Sequence, residues 1–221
     1  MRPSPAGAVA AFALSVTVTV TVTVTVAVVV VAAAAATRST GATTARATPT
    51  GPSAGGIAAV MRLLGAQAHR RTAFRERQDL AVLDRPLIST GELIYDAPGR
   101  LEERLITPHR EVLVAQGDRL SVERGGRRRV LELAHANGLA ALIGSLRATL
   151  AGDDAALQRD FRVDFRGGVA RWTLRLTPRS AALARHVTAI RIDGARGELR
   201  RVVIRAANGD SSVMRLADPA R

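Results

Sequence analysis

The chain has 221 residues, of which 47% are hydrophobic, and its formal net charge of +13 comes from arginine because lysine is absent. This length predicts one domain with extensions, and the apolar content is enough for a packed core. Cysteine is also absent, which excludes disulfide bonds, thiolate metal sites, cysteine nucleophiles and acylation of a cysteine after signal cleavage. The positive charge favours acidic partners, such as nucleic acid, anionic lipid headgroups or acidic substrates, without choosing among them.

Residues 1–36 have the composition of an export signal. Arg2 is followed by an uncharged stretch over residues 3–37, within which valine and threonine alternate over residues 16–26. Such alternation normally indicates a half-buried strand. The positive start, the apolar centre and the small residues at its end instead predict a secretory signal, cleaved after Ala36, that directs the protein to the periplasm. The apolar stretch is also long enough to cross a bilayer, so an uncleaved anchor is the alternative, and a strand of the fold is the least favoured.

Residues 37–56 are rich in threonine, alanine, glycine, proline and serine and show no periodicity. This composition predicts a flexible linker. The folded domain is therefore predicted over residues 57–218. Its first element is an amphipathic helix, because apolar residues recur there at helical spacing. These residues are Ile57, Val60, Met61, Leu63 and Leu64.

Strands are predicted on both sides of a pair of helices, because the apolar residues there follow a period of two and turn residues separate the segments. The first set of strands comprises GELIYDAP, RLEERLITP, EVLVAQGDRLSVER and RRRVLELA, which begin at Gly91, Arg100, Glu111 and Arg127. The second set occupies residues 160–167, 169–178, 186–194, 198–210 and 211–218. The predicted turns are Pro98–Gly99, Gly117–Asp118, Gly125–Gly126, Gly167–Gly168, Gly194–Gly197 and Asn208–Gly209.

The helical pair begins at Asn137. Apolar residues share one face of the first helix, which ends at Gly152. A shorter helix follows over Asp153–Asp160, whose first two carboxylates suit its positive N-terminal end. The residues of the apolar face are Leu139, Leu142, Ile143, Leu146 and Leu150.

Nine or ten strands in antiparallel succession, interrupted once by the helical pair and preceded by one helix, predict an α+β fold. The expected architecture is one large curved antiparallel sheet with helices gathered on one face. In the strand that begins at Arg100, Leu101, Glu103 and Leu105 share one face, and Arg104 lies on the other. Helices over the concave apolar face form either a closed core or a lidded cavity, and the pattern alone favours the closed core.

No constellation of residues in the chain predicts catalysis or a cofactor. The four histidines, which have no metal-ligand spacing, are His69, His109, His135 and His186. Phosphate-binding and hydrolase motifs are absent from the sequence. Asp153 and Asp154 are explained by helix capping. Glu102 and Glu103 point to opposite faces of a strand and cannot form a dyad. The few scattered aromatic residues argue against a nucleic-acid platform.

Several segments of the chain resemble the outer-membrane lipoprotein carrier protein family, LolA. They are GELIYDAP (Gly91–Pro98), the strand end Thr107–Pro108, EVLVAQGDRLSV (Glu111–Val122), WTLRLTP (Trp172–Pro178), IRIDG (Ile190–Gly194) and NGDSS (Asn208–Ser212). The resemblance covers nearly all of residues 57–218. It implies an incomplete β-barrel in the periplasm, with helices closing as a lid over a hydrophobic cavity.

The resemblance also implies a function, which is the non-enzymatic transfer of a lipid, glycolipid or lipoprotein from the inner toward the outer membrane. The expected partners are the acylated cargo, an inner-membrane exporter, an outer-membrane acceptor and, transiently, a membrane surface, for a monomer without nucleic acid or cofactor. The alternative is a membrane-anchored accessory protein of an envelope lipid exporter. The expected cavity wall is Leu93, Tyr95, Leu101, Glu103, Leu105, Leu113, Trp172 and Leu174, and the expected lid residues are Leu142, Ile143, Leu146 and Leu150.

Two positions depart from the family pattern. Ala97 precedes Pro98, where the carriers have an arginine that holds the lid, so a replacement latch is expected from Arg100 or Arg104. Glu103 stands where the carriers have an aromatic wall residue. Because a carboxylate in a cavity is costly unless it is paired or serves a polar cargo group, we expect a glycolipid, a fatty-acyl lipid or a polyene-type lipid as cargo.

Overall fold

The computed structural model describes residues 54–135 and 137–217. The predicted signal and nearly all of the predicted linker lie outside the described residues, so their boundaries stay predictions. The first helix begins at Ala54, three residues before the predicted start of the folded domain at Ile57. Within the described residues, no helix is both long enough and apolar enough to cross a membrane.

Eleven strands form one antiparallel sheet. The strands are β1 (His69–Asp79), β2 (Leu87–Asp96), β3 (Arg100–Thr107), β4 (Glu111–Gln116), β5 (Arg119–Arg124), β6 (Arg127–Glu132), β7 (Phe161–Gly168), β8 (Arg171–Pro178), β9 (Val187–Ala195), β10 (Glu198–Ala206) and β11 (Ser211–Leu216). The helices are α1 (Ala54–Gly65), α2 (Asn137–Ala151), α3 (Asp154–Asp160) and α4 (Ala181–Ala184), and a 3-10 turn lies at Leu133–His135.

The strand order explains why helices cover one face of the sheet. The order across the sheet is β6-β5-β4-β3-β2-β1-β11-β10-β9-β8-β7, so the pairing of β1 with β11 joins two meanders and β6 and β7 form the two edges. The chain must therefore travel from one edge to the other between β6 and β7. Helices α2 and α3 make this crossing over the concave face, as the predicted fold class requires.

Strand β1 was not predicted, and the expected count of nine or ten strands is wrong for this reason. The inward positions of the second half of β1 are Phe74, Glu76 and Gln78, all of which are buried. Two of these three residues are polar, so the strand shows no alternation of apolar and polar residues. Only pairing with β2 on one side and β11 on the other identifies it as a central strand.

The predicted turns are confirmed except at one hairpin, and the turn predicted over Gly194–Gly197 is confined to Arg196–Gly197 because Gly194 and Ala195 belong to β9. Gly167 and Gly168 belong to β7, and the turn lies at residues 169–170. The capping function predicted for Asp153 is confirmed, because its carboxylate accepts the backbone N–H of Ala156 at 2.8 Å. The short helix α4 was not predicted, and it begins where the Ser180 hydroxyl accepts the N–H of Leu183.

The core lies between the inner face of the sheet and helices α1 to α3. Helices α1 and α2 approach each other closely at Gly65 and Gly152. A Cβ atom at Gly152 would lie 2.1 Å from the backbone oxygen of Met61, and the φ angle of Gly152 is +70°, a region that favours glycine. The two helices therefore pack as one layer on the sheet.

Candidate functional site

All eight predicted wall residues lie on the inner face of the sheet and are buried. They are Leu93, Tyr95, Leu101, Glu103, Leu105, Leu113, Trp172 and Leu174, each at most 5% exposed. The predicted lid residues lie on the face of α2 that is turned toward the sheet. They are Leu142, Ile143, Leu146 and Leu150, each at most 7% exposed.

Two small gaps remain between α2 and the sheet, on either side of Leu146 and Met214. The first has a volume of about 30 Å³, and its lining includes Leu93, Leu101, Glu103, Leu113 and Ile143. The second has a volume of about 20 Å³ and is lined in part by Leu142 and Glu76. Each gap has room for only one or two water molecules. An acyl chain can enter this interface only if α2 moves.

The other predicted wall residues lie outside these two gaps. Leu105, Trp172 and Leu174 line neither gap. The Trp172 indole N–H donates to the backbone oxygen of Arg196 at 2.9 Å. The indole ring also fills the space next to Gly194, where a Cβ atom would lie 2.1 Å from the ring. In this closed arrangement these three residues are part of the packed core.

A wider groove lies at the end of the sheet where α1 and α2 terminate. Its volume is about 220 Å³, and its lining includes Leu93, Tyr95 and Leu150 together with Arg70 and Leu216. Leu93 lines both this groove and the 30 Å³ gap. The groove therefore adjoins the covered inner face at Leu93.

The arginines that were expected to hold the lid lie on the wrong face of the sheet. Arg100 and Arg104 both bind the carboxylate of Glu102. Glu102 points away from the helices, whereas Glu103 points toward them and lines the 30 Å³ gap. The latch predicted from Arg100 or Arg104 is wrong, because the alternation of side chains along β3 places both on the outer face with Glu102.

Arg70 occupies the position of a latch. It lies on β1 and points inward, and its guanidinium group donates to the backbone oxygen of Leu64, in the last turn of α1. It also donates to the backbone oxygen of Leu150, in the last turn of α2, at 3.4 Å. Terminal helix carbonyls have no partner within their helix and carry partial negative charge, so a cation here stabilises both helix ends. Burial lowers the pKa of Arg70 from its usual value.

The middle of α2 is held by a second arginine. The guanidinium group of Arg147 donates to the backbone oxygen of Gly117 in the turn between β4 and β5, at 2.9 Å. It also lies close to Gly99 in the turn between β2 and β3. Arg70 and Arg147 thus connect α2 to the sheet at two places. Nothing in the sequence marks the contacts of α2 with either residue, because Leu150 lies 80 residues from Arg70 and Gly117 lies 30 residues from Arg147.

A buried polar cluster lies on the inner face between the apolar residues. The carboxylate of Glu76 accepts hydrogen bonds from the Gln78 amide at 3.1 Å, from the Ser89 hydroxyl at 3.4 Å and from the Ser212 hydroxyl. Burial and, after it, the charge of Glu103 raise the pKa of Glu76 to about 8. The periodic pattern of the sequence gave no signal for this cluster, because its members come from three strands.

We expect the replacement of Arg70 by leucine to loosen the ends of α1 and α2. Hydrogen bonds to a charged group contribute about 1.5–3 kcal/mol. Amide hydrogen exchange in the last turns of both helices should therefore become at least about tenfold faster. The matched control is Arg71→Leu, since Arg71 pairs with Glu92 on the exposed face and such pairs contribute little. Unchanged exchange in Arg70→Leu would show that Arg70 does not hold the helices.

No group of three histidine, aspartate or glutamate side chains within the described part of the chain could hold a metal ion. His69 pairs with Asp96 at an exposed position. His109 lies 3.8 Å from Glu111, and burial lowers the pKa of this imidazole.

The family profile described as "Outer membrane lipoprotein carrier protein LolA-like" matches residues 49–221. No curated protein sequence matches the chain at a significant level. A LolA superfamily protein from Nitrosomonas europaea is a structural neighbour with 11% identity, a TM-score of 0.41 and coverage of 74% of this chain and 92% of that chain. The Pseudomonas aeruginosa MucA/MucB complex aligns with 16% identity and a TM-score of 0.40, over 75% of this chain and 59% of that chain.

The Mycobacterium tuberculosis lipoprotein LppX is a further neighbour, with 11% identity, a TM-score of 0.39 and coverage of 75% of this chain and 97% of that chain. At such low identities and TM-scores, the family assignment depends on the profile match, which spans most of the chain and the whole described sheet. This match agrees with the open curved sheet and its covering helices. The chain therefore belongs to the LolA-like family of outer membrane lipoprotein carrier proteins.

Proposed function

We propose that the protein is a non-enzymatic periplasmic carrier that binds the acyl chains of a lipid, glycolipid or lipoprotein between α2 and the inner face of the sheet. The observation that carries the proposal is the interface of α2 with the sheet. Leu142, Ile143, Leu146 and Leu150 cover a concave apolar surface that contains only water-sized gaps. Hydrogen bonds from Arg70 and Arg147 to backbone oxygens supplement this contact at two points.

An acyl chain and the leucine face of α2 would compete for the same apolar wall. Each CH₂ group removed from water contributes about 0.8 kcal/mol. Withdrawal of α2 exposes apolar surface, and entry of an acyl chain covers it again, so the two states differ little in total buried area. This near balance allows cargo to be taken up at one membrane and released at another without a chemical step.

The groove beside Arg70 is the proposed access route for cargo. It adjoins the covered wall at Leu93 and the last turn of α2 at Leu150. An acyl chain that enters here would meet the carbonyl groups that Arg70 holds and would separate α2 from β1. Loading and opening are thus expected at the same end of the sheet.

The polar cluster around Glu76 supports a cargo that carries hydrogen-bond donors next to its acyl chains. Glu76 and Glu103 line the two gaps on either side of Leu146 and Met214. When α2 withdraws, these carboxyl groups would face the bound lipid. Hydroxyl or amide groups of a glycolipid or an acylated peptide could donate hydrogen bonds to these carboxyl groups. A plain hydrocarbon has no hydrogen-bond donor to offer them.

The second candidate is an accessory protein of an envelope lipid exporter that stays attached to the inner membrane. The feature that favours it is the uncharged stretch over residues 3–37, which is longer than a secretory signal needs. The two candidates share the fold and the apolar interface. They differ in whether residues 1–36 remain on the protein.

Native mass spectrometry of the protein purified from its own cell envelope tests the proposal. We expect a population with one bound lipid per chain, and release of that lipid on activation in the gas phase identifies the cargo. The mass of the protein itself shows where the chain begins. A chain that starts after Ala36 supports the shuttle, and a chain that retains Met1 or Arg2 supports the anchored protein.

The absence of bound lipid in the envelope preparation, together with a failure to take up a fluorescent fatty acid, would contradict the carrier. A matched control is the same preparation of the Leu146→Arg variant, in which the interface is blocked. Lipid that is retained by both proteins adheres outside the interface and would count against the proposed binding site.

A further inference from the structure

A groove lined by arginine lies on the outer face of the sheet, away from the helices. Its volume is about 700 Å³, and it crosses strands β7 to β10. Outward-pointing Thr173, Ala189 and Val203 contribute to its lining. We define the arginine groove by its five cationic residues, which are Arg166, Arg175, Arg191, Arg201 and Arg205.

The strand register brings arginines of this face directly opposite one another. Arg175 on β8 faces Arg191 on β9. Arg201 on β10 faces Arg215 on β11, which in turn faces Arg75 on β1. Directly opposed like charges destabilise an antiparallel pair. On their other sides Arg175 faces Asp164 on β7 and Arg201 faces Asp193 on β9. These two carboxylates are fewer than the arginines that the register gathers on this face.

Carboxylates compensate only part of this charge. Arg166 binds Asp164, and Arg191 binds Asp193 at 2.8 Å. Among the described residues, Arg175, Arg201 and Arg205 form no ion pair with a carboxylate. The Nε atom of Arg201 is also buried without a hydrogen-bond acceptor in the described part of the chain. Three guanidinium groups in one groove are thus available to an anion from outside.

The outer face of the other half of the sheet has a different charge pattern. There Arg71 pairs with Glu92, and Arg100 and Arg104 share Glu102. The described part of that half also has arginines without a carboxylate partner, but Arg127, Arg128 and Arg129 lie side by side on its exposed edge strand β6. The groove differs because its arginines line one concavity together.

We propose that the arginine groove binds the phosphate groups of anionic phospholipids and seats this face of the sheet on a membrane surface. Guanidinium groups bind phosphate oxygens through two parallel hydrogen bonds. The four strands of the groove span roughly 15 Å at the usual strand spacing. A row of cations of this width matches several neighbouring headgroups in a bilayer, whereas a single soluble phosphate would occupy a fraction of it.

This contact goes beyond the proposed carrier function and does not depend on it. The groove and the α2 interface lie on opposite faces of the same sheet. Seating the outer face on a membrane leaves α2 and the groove beside Arg70 free to move. The absence of cargo binding would not affect the predicted membrane contact of the outer face. The absence of membrane contact would likewise not affect the predicted binding of cargo at α2.

The test attaches a fluorescent label to one introduced cysteine. The label is specific to that position because the chain has no cysteine of its own. Thr188→Cys places the label at the exposed edge of the groove. Val130→Cys places it on β6 as a control, at a side chain that is 56% exposed. The full chain, as its own cell processes it, is mixed with vesicles of phosphatidylcholine and phosphatidylglycerol that carry a headgroup quencher. We expect quenching at position 188, reversal at high salt, and much weaker quenching at position 130.

Charge variants then separate the groove from the overall charge of the protein. The triple variant Arg175→Gln, Arg191→Gln, Arg205→Gln is expected to weaken the vesicle contact at position 188 by about a hundredfold, since each basic residue near an anionic surface contributes about fivefold. The matched control replaces Arg127, Arg128 and Arg129 by glutamine, which changes the net charge equally in the exposed strand β6. The control should weaken the contact by no more than about threefold.

Three results would overturn the proposal. One is an equal loss of contact in the two triple variants, which would indicate unspecific attraction by net charge. Another is equal quenching by vesicles of pure phosphatidylcholine. The third is an absence of vesicle contact at position 188, whether or not inorganic phosphate or an oligonucleotide binds to the groove. Bound cargo, measured by mass spectrometry on the same preparations, shows independently whether the carrier function is intact.

Discussion

The Leu146→Arg variant is expected to lose all co-purifying lipid. Leu146 is 7% exposed and borders both gaps between α2 and the sheet. An arginine there places a charged group where the acyl chain would lie, and a buried unpaired charge costs several kcal/mol. The helix would be held away from the wall, and the variant would compete poorly for apolar cargo. The measurement is the bound-lipid content by native mass spectrometry.

The matched control is Gly144→Arg in the same helix. Gly144 is exposed, and a Cβ atom at this position would meet no atom within 4 Å. Arginine also has a higher helix propensity than glycine, by about 0.8 kcal/mol. This variant carries the same added charge and should retain its lipid. Equal lipid content in the two variants would contradict the proposed role of the α2 interface.

A second pair of variants tests the wall and does not depend on whether Leu146→Arg folds. Leu101→Asp changes a buried inner residue of β3, and Ile106→Asp changes an outer residue of the same strand that is 52% exposed. Circular dichroism reports whether the sheet is formed. Loss of lipid in Leu101→Asp with a formed sheet, and retention in Ile106→Asp, is the expected result.

The Glu76→Gln variant is expected to be more stable than the wild type above about pH 8. The pKa of Glu76 is raised from 4.5 to about 8 in the folded protein, chiefly by burial and then by the charge of Glu103. The folded state therefore holds a proton that the unfolded state releases between these two pH values. The free energy of unfolding of the wild type should fall as pH rises through this window, by roughly 4–5 kcal/mol.

Below about pH 4.5 the Glu76 carboxyl is protonated in both states, so its burial carries no such cost there. Glutamine cannot ionise, and its amide can bond to the same partners, so the variant should show a flatter pH dependence. Urea denaturation at about pH 5 and about pH 8.5 measures this difference. The exposed Glu123→Gln is the control. An equally steep decline in Glu76→Gln and the wild type would show that another group causes it.

Local patterns in the sequence were sufficient for most elements of the fold. The leucine face of α2, the cap at Asp153 and all but one of the predicted turns depend on residues that are close in the chain. The alternation along β3 also predicted correctly that Glu102 and Glu103 point to opposite faces. The order of these elements, together with segments such as Trp172–Pro178, was enough to identify the family resemblance.

Strand β1 and the latch could be identified only from the tertiary structure. β1 has polar inward residues because Glu76 and Gln78 bond to each other and to residues of β2 and β11. Arg70 binds carbonyl groups of two helices, one of which is 80 residues away in the chain. The spacing of apolar residues within one segment contains no information about hydrogen-bond partners that lie elsewhere in the chain.

The pairing of charges on the outer face of the sheet also depends on the tertiary structure. From the sequence alone, the arginines account for a net charge of +13 and for a general affinity for anions. The strand register decides that Arg175 faces Arg191 and that Arg201 faces Arg215, whereas Arg100 and Arg104 share a carboxylate. The sequence by itself determined most of the elements, the fold class and the family resemblance, because these depend on local periodicity and order. Tertiary structure alone decided which charges are paired and how α2 is held, because both depend on contacts between strands and helices that are distant in the chain.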